Sequence, residues 1–379
     1  MKIYIIIAIF LTVLISCNSK FKQEDLLTTT VINNYEELDY ADISKTITKI
    51  FASDLTLNTP YLFQVLNTDT GDIYINYNFS KNSLDIFNIT DSCFVKQIFL
   101  EKEGPNKIIG FDSFYYASDD SILFQIPDED TFIILNLINN TVSKKRINNS
   151  LVGLEASDGI GLYYYNNRIV TRAINYGLSS EEYKKENKKL LLSYNIKKES
   201  IDTLFCNYPN EYEYGYLAFL QAPYVAHAKN TTYVSFPFCN NLYEYDLGEL
   251  KNIYEFKSKY INNFPDVSFT YNDEFSQRFL NFFVESPYFL KILYNPYNNK
   301  IYKISKFEQE LYNTNGKLNG RYTGKWSVLI LDLNELKIKE IVFPKKLYNF
   351  FACFVTKNGL SFFSNETTEN TIVINSFDI

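Results

Sequence analysis

The sequence predicts an all-β fold, a six-bladed β-propeller of four-stranded antiparallel blades, and three observations predict it. A short motif, apolar-x-apolar-x-(Asn/Asp)-apolar, returns six times: Leu84–Ile89, Phe132–Leu137, Leu191–Ile196, Leu242–Leu247, Val328–Leu333 and, more loosely, Ile372–Phe377. Each copy occupies the third place in a four-strand unit. The sixth unit stops at Ile379, one strand short, so a closed ring needs a strand from the N-terminal end. Repeated units bury their apolar faces by stacking on one another, and four-stranded antiparallel units stacked radially are propeller blades. A β-sandwich of similar strand content explains neither the six matched units nor the truncated last one.

The chain opens on a targeting signal. Lys2 is a positive n-region, and Ile3–Val13 is an apolar stretch well short of the roughly 20 residues of a spanning helix. Leu14-Ile15-Ser16-Cys17 matches a bacterial lipobox, which implies cleavage before Cys17 and lipidation of its thiol. The expected organisation is a signal peptide at 1–17, a polar tether at 18–30 and one propeller domain at 31–379. The expected place is the cell envelope, as an outer-membrane lipoprotein facing the periplasm or the exterior, with the membrane reached through the lipid on Cys17. Within the tether, Lys22-Gln23-Glu24-Asp25 is similar to acidic signals that send lipoproteins to the cell exterior.

Composition narrows the partners. The net charge is −7, which repels phosphate backbones and argues against a nucleic-acid partner. There are 32 Tyr and 32 Phe but one His and one Trp. Aromatic and β-branched residues suit half-buried strands, although an abundance of Ile, Asn, Lys, Tyr and Phe also fits an AT-rich genome. Cys93, Cys206, Cys239 and Cys353 match no metal spacing and read as mostly buried free thiols; no cofactor is implied.

The strands of each unit are termed a, b, c and d. Strand a is expected at Tyr61–Leu66, Phe111–Tyr116, Leu162–Tyr165, Pro223–Ala228, Phe289–Tyr294 and Phe350–Thr356. Strand b follows at Asp72–Tyr77, Ile122–Ile126, Arg168–Arg172, Thr232–Phe236, Lys300–Ile304 and Leu360–Ser364, and strand c is the motif itself. Strand d lies at Phe94–Leu100, Val142–Ile147, Ile201–Phe205, Ile253–Lys257 and Ile338–Phe343. Asn, Asp and Gly fill the a–b turns because they tolerate positive φ or cap the turn. The Asn or Asp ending strand c (Asn88, Asn136, Asn195, Asp246, Asp332) is expected to hold the c–d turn. Lys45–Ala52 is the expected closing strand, with Leu26–Ile32 as the alternative.

Loop lengths single out one face. The a–b and c–d turns share one face of a propeller and are all short here. The long segments, Ala173–Lys188, Asn207–Ala222, Ser258–Tyr288 and Ser305–Lys325, all belong to the other. Working residues favour loops on a rigid scaffold. Two of these segments read as helical: Ser179-Ser180-Glu181-Glu182 is a capping box. Asp273–Glu285 sets Phe275, Phe279, Phe282 and Phe283 on one side, a stripe expected to pack on the blades.

Candidate binding residues follow from that face. Arg172 ends strand b of blade three and is expected near the channel mouth, while Arg278 and Arg321 lie in long segments; arginine can clamp a carboxylate or sulfate. Tyr212, Tyr214 and Tyr216, with Tyr208, alternate along the connection from blade three to four and could offer flat amphipathic surfaces to a sugar or peptide. His227, the single imidazole, falls near the short-turn face and reads as structural, so no Ser-His-Asp set assembles and no catalytic residue is assigned. A hydrolase or lyase reading would instead need carboxylates such as Asp128, Glu129 and Asp130, or Glu308 and Glu310. Asp120-Ser121-Ile122 and Asp202-Thr203-Leu204 match a three-residue O-glycosylation pattern.

The lipobox, the six units and the segment Tyr294–Ile304 (Tyr-Asn-Pro-Tyr-Asn-Asn-Lys-Ile-Tyr-Lys-Ile) resemble the six-bladed propeller lipoproteins of Bacteroidetes, a domain-of-unknown-function family of TolB-like or NHL-like propellers. Asn295 stands where that family commonly has Asp. The resemblance implies the fold and carries no activity. The expected function is a lipid-anchored binding or scaffold protein for a glycan, a peptide or an envelope partner protein, working through the long-loop face; the alternative is the carboxylate hydrolase or lyase.

Overall fold

The computed structural model describes residues 28–51, 62–68, 70–149, 152–154, 161–175, 189–209, 222–264, 281–320, 323–343, 348–364, 366–368 and 371–379. Its strands begin with three from the N-terminal segment, β1 (Thr30–Val31), β2 (Asn34–Leu38) and β3 (Lys45–Phe51). Blade one is β4 (Phe63–Thr68), β5 (Gly71–Asn78), β6 (Ser83–Asn88) and β7 (Cys93–Phe99); blade two is β8 (Ser113–Ser118), β9 (Ser121–Ile126), β10 (Thr131–Asn136) and β11 (Thr141–Arg146). Blade three is β12 (Val152–Leu154), β13 (Tyr163–Tyr165), β14 (Arg168–Asn175), β15 (Leu191–Asn195) and β16 (Ser200–Phe205). Blade four is β17 (Tyr224–Ala228), β18 (Thr231–Ser235), β19 (Asn241–Asp246) and β20 (Glu249–Glu255). Blade five is β21 (Tyr288–Asn295), β22 (Lys300–Lys306), β23 (Trp326–Asp332) and β24 (Lys337–Phe343), and blade six is β25 (Tyr348–Thr356), β26 (Gly359–Ser364) and β27 (Thr371–Phe377), completed by β3.

The sheets form a ring because their inner strands meet in sequence. The backbone N–H of Tyr116 donates to Gln64 Oε1 at 2.7 Å, joining blades two and one. Tyr115 meets Tyr163 edge-on, Tyr163 stacks on His227 at 4.2 Å, and Tyr233 stacks on Tyr294. Lys291 Nζ donates to the Cys353 carbonyl at 3.0 Å, and Asn67 Nδ2 to the Val355 carbonyl at 2.9 Å, which returns the circuit from blade six to blade one.

Closure occurs where the truncated sixth unit demands it. β3 pairs antiparallel with β27 over its whole length, Lys45 opposite Phe377 and Phe51 opposite Thr371. Ile50, fully buried, packs with Tyr74, Phe87, Phe363 and Ile374 in the seam between blades six and one. The N-terminal segment also does something the sequence pattern does not announce. β1 adds parallel to β20 on blade four, and β2 adds parallel to β24 on blade five. Side chains fix β2 there: the fully buried Glu340 carboxylate accepts from the Tyr35 hydroxyl, Ser258 Oγ (2.6 Å), Ser327 Oγ (2.5 Å) and the Lys259 N–H (3.0 Å). Burial and that carboxylate together push the Tyr35 hydroxyl well above the ordinary phenol range.

Blade three departs from the expected pattern. Its inner strand is in two pieces: β13 pairs the first half of β14 and β12 pairs the second half. β14 runs on to Asn175 and β22 to Lys306, so Ala173 and Ser305, read as the start of long segments, are strand residues.

The seams between blades hold the aromatic residues. Trp326 stacks on Phe343 at 4.4 Å and meets Phe362 edge-on, and Tyr348 and Phe377 complete the cluster between blades five and six. Two charges are buried among them because backbone oxygens are aimed at them. Lys303 Nζ donates to the carbonyls of Cys239 and Phe256, both at 3.2 Å, and sits 3.5 Å over the Phe289 ring; burial lowers its pKa to about 7. Lys306 Nζ donates to the carbonyls of Val284 and Ser286, both at 2.8 Å, at the end of the helical turns 281–285. Phe282 and Phe283 from those turns are buried in the core, as their packing role requires; Phe275 and Phe279 lie outside the described residues, as does the capping box at Ser179.

Candidate functional site

The two faces of the ring are built differently. On one, strands join through turns of two to four residues. Asn88, Asn136, Asn195 and Asp332 hold the c–d turns as their position implies, each side-chain oxygen accepting a backbone N–H two or three residues on. Asn166 and Asn167 turn blade three with φ of 50° and 63°.

This short-turn face is also tied across the channel. Asp72 is 1 % exposed, and its carboxylate accepts from Asn67 Nδ2 at 2.8 Å, the Tyr297 hydroxyl at 2.7 Å and the Lys357 N–H at 2.7 Å. One side chain thus joins blades one, five and six. Asn295 accepts the Tyr297 N–H and donates from Nδ2 to the Tyr302 hydroxyl, which donates to the Ile379 carbonyl. An Asp at 295 could not make that donation when ionised, which gives the Asn a physical reason.

His227 belongs to this closed region. Nδ1 lies 3.2 Å from Thr232 Oγ1, the ring is stacked on Tyr163, and Nε2 is sealed from solvent with no hydrogen-bond partner among the described residues. Burial lowers its pKa to about 3, so it is neutral at physiological pH. Beside it, a narrow crevice of about 20 Å³ runs between blades three and four, lined by Tyr165, Arg168, Lys229, Thr232 and Leu247 among others. Arg168 is engaged there by Asp202 at 3.2 Å.

The opposite face carries the long connections, at 176–190, 206–223, 256–287 and 307–325. Arg172 reaches this end of blade three and is buried, 7 % exposed. Thr171 Oγ1 donates to Gln125 of blade two at 2.6 Å, so strand alternation directs Arg172 toward the seam with blade four. Tyr212, Tyr214, Tyr216, Arg278, Arg321 and Cys17, the expected lipidation residue, lie outside the described residues. Tyr208 is half-buried, with its ring 6.2 Å from that of Phe236.

Within the fourth connection, Tyr312 and Leu318 form an isolated antiparallel bridge, and both are exposed. Asn313 Oδ1 accepts the N–H groups of Asn315 and Lys317 and shapes the tip. A second feature was only half visible in the sequence: an open cleft of about 200 Å³ beside blade two, lined by Lys107, Ile109, Asp128, Glu129 and Lys144 among others. Asp128 and Glu129 belong to the 3₁₀ turn Pro127–Glu129, whereas Asp130 caps the N–H of Leu154 at 2.8 Å. Nothing in the sequence marks Lys107 and Lys144 as its other wall. Glu308 and Glu310 are on blade five, across the ring from blade two, so the two acid groups do not share one pocket. Among the described residues no group of three or more His, Cys, Asp or Glu could hold a metal ion, and no helix is long and apolar enough to cross a membrane.

The comparisons agree with the ring. A crystal structure of a DUF4221 family member from Bacteroides vulgatus superposes with a TM-score of 0.69 at 16 % identity, over 89 % of this chain and 97 % of that one. A Bacteroides fragilis protein described as exported gives 0.58 at 13 % identity, over 92 % and 99 %. At these identities the likeness is one of fold. No curated protein sequence matches. The family profile "Domain of unknown function (DUF4221)" matches residues 42–341, most of the chain, and this protein is therefore a member of the DUF4221 family.

Proposed function

We propose that this DUF4221 member is a lipid-anchored protein of the cell envelope that captures a glycan, a peptide or a partner protein on its long-loop face. The observation that carries the reading is the asymmetry of the ring. Every long connection leaves one face, while the other is closed by short turns and by the Asp72–Tyr297–Lys357 network. Insertions that collect on one face of a repeat architecture are the usual place for binding. The cleft beside blade two adds both charge signs and an exposed Ile109 to that face. The lipobox at Leu14–Cys17 supports the anchor.

The test is a glycan and peptide array probed with the purified protein and with a variant lacking residues 310–320. Capture by the intact protein and its loss in the folded variant is the expected result. Equal capture by both would remove this connection from the binding surface, and capture abolished only by changes on the short-turn face would overturn the reading.

A further inference from the structure

We propose that the outer edge of blade six, strand β3, is a β-augmentation site for an extended strand of a partner protein. The strand it fits carries two acidic residues four apart with an apolar residue midway. This surface lies on the rim of the ring and is separate from the long connections that carry the reading above.

The ring already takes added strands at this place. The fourth strand of each blade is its outer edge, and two of these edges are covered, β20 by β1 and β24 by β2, both in parallel. Blade five shows the chemistry of the match. β2 (Asn-Tyr-Glu-Glu-Leu) runs along β24 from Lys337 to Ile341, and its Glu36 carboxylate pairs with both Lys337 and Lys339 of the edge it covers. A lysine-bearing edge is thus met by an acidic strand within this same chain.

β3 presents the same chemistry with its edge uncovered. It pairs with β27 on one side only, so the backbone N–H and C=O groups of every second residue face outward. Its seven residues, Lys-Thr-Ile-Thr-Lys-Ile-Phe, pair without a register shift. Strand alternation puts Lys45, Ile47, Lys49 and Phe51 on the side away from Ile50, which fills the seam with blade one. Ile47 is 56 % exposed and Phe51 69 %. Lys45 and Lys49 are exposed as well, and no acidic residue of the described chain pairs with either. β3 has no acid of its own, on a chain whose net charge is −7.

The other open edges each lack one part of this device. β7 and β16 carry a register shift against the strand beside them, an irregularity that turns an edge away from further pairing. β11 is regular and basic but exposes no large apolar side chain. Lysine alone would guard an edge against pairing, and the exposed Ile47 and Phe51 undo that guard. A second copy of β3 would bring two more lysines and no acid, so like charge disfavours self-pairing and complementary charge selects the partner. Opposite the row Lys45, Ile47, Lys49, the fitting strand reads acid, apolar, acid at alternate positions. In this mode of recognition backbone hydrogen bonds supply the affinity and alternate side chains the selectivity.

The probe is a capped, fluorescently labelled nine-residue peptide that alternates threonine with glutamate, valine, glutamate and isoleucine. Its binding to the purified protein is read by fluorescence polarisation. The same peptide with lysine in place of glutamate should bind at least tenfold more weakly. Of two versions N-methylated on alternate backbone nitrogens, the one blocked on the side facing β3 should lose binding by a similar factor. The paired variant Lys45→Glu, Lys49→Glu changes two exposed side chains and should reverse the preference, taking the lysine peptide at least tenfold better than the glutamate one. The variant lacking residues 310–320 should bind the probe as the intact protein does, which separates this edge from the long-loop face. Equal binding of the two peptides, no binding of either at millimolar concentration, or a preference unmoved by the charge reversal would overturn the proposal. Hydrogen exchange across residues 45–51 supplies a second measurement that needs no variant. The outward amides should exchange freely in the free protein and at least tenfold more slowly with the glutamate peptide bound. Protection already present in the free protein would show the edge covered by the chain itself or, where sedimentation finds a dimer, by a second copy, and either result would overturn the proposal.

Discussion

The two faces of this ring solve different problems with the same strands. On the short-turn side, side chains from distant blades converge: Asp72 collects Tyr297 and Lys357, and His227 stacks on Tyr163 of the next blade. On the long-loop side, the described chain between β22 and β23 closes mostly on itself, through Asn313, Asn319 and the Tyr312–Leu318 bridge. The difference teaches that ties between blades that are not neighbours gather on the short-turn side, whereas the long-loop side joins adjacent blades, as Lys303 joins five to four, around connections that vary in length.

The largest expected effect removes the support common to both faces. Ile50→Asp puts a charge into the seam where the closing strand joins blade one. Losing a buried Ile alone costs about 2–5 kcal/mol, and the charge adds to it, so urea denaturation should show a loss above about 4 kcal/mol or no folded protein. A loss below about 1 kcal/mol would mean that the closing strand contributes little.

Asp72→Ala is the sharper test of the short-turn face. It leaves three partly buried donors without their acceptor, at up to about 1–3 kcal/mol each, partly recovered by water because Asn67, Tyr297 and Lys357 are exposed residues. A net loss of about 3 kcal/mol in the same denaturation is expected, and a neutral result would break the comparison.

Two pH dependences follow from buried basic groups. His227 has a folded pKa of about 3 against the usual 6.5, so below 6.5 the unfolded chain takes up a proton that the native state does not. Stability from this group is complete above pH 6.5 and is lost as the pH falls toward 3. His227→Phe keeps an aromatic ring against Tyr163 and should flatten the fall in Tm over that window relative to the parent. Lys303 has the same sign at higher pH: with a folded pKa of about 7 against 10.5, stability rises as the pH climbs from 7 to 10.5. Thermal scans of Lys303→Met should lack that rise; an identical slope would show that the native lysine remains charged.

The smallest effect belongs to the long-loop face. Removing residues 310–320 cuts a mostly exposed segment whose hydrogen bonds are largely internal, so Tm should move by no more than about 2 °C, within the range of surface changes. A large fall would show that this connection also holds the ring.

Much of the fold was legible in the sequence because its repeat is written in backbone chemistry. The motif ends in Asn or Asp because the turn needs an acceptor at that place, and four of the five named residues make that hydrogen bond. The missing strand of the last unit identified Lys45–Ala52 because closure leaves one open place. β1 falls within Leu26–Ile32, read as the alternative closing strand, but it pairs with blade four; β2 escaped notice because Asn34–Leu38 is short and lacks clean alternation, and it is held by contacts such as Tyr35 to Glu340, more than 300 residues apart in sequence. The split inner strand of blade three was hidden for the same reason, since β12 is only Val152–Leu154. The sequence gives no sign that Lys303 and Lys306 are buried, and only the folded backbone shows the carbonyls that receive them. The candidate site was the least legible part. Loop length marks a face, but Arg172 proved to be buried in a seam, and the Lys107–Lys144 side of the cleft comes from segments with no shared motif.

Hydrogen exchange of the purified protein, followed by mass spectrometry, tests the contrast between the faces most directly. The amides of Leu137, Leu333 and Lys357, bonded to the Asp120 and Asn299 carbonyls and to Asp72, should exchange only as fast as the whole ring unfolds. Those of Asn315 and Lys317, in the exposed tip of the fourth connection, should exchange at least a hundredfold faster. Equal rates, or faster exchange on the short-turn side, would contradict the division of the ring into one side that holds it together and one that is free to bind.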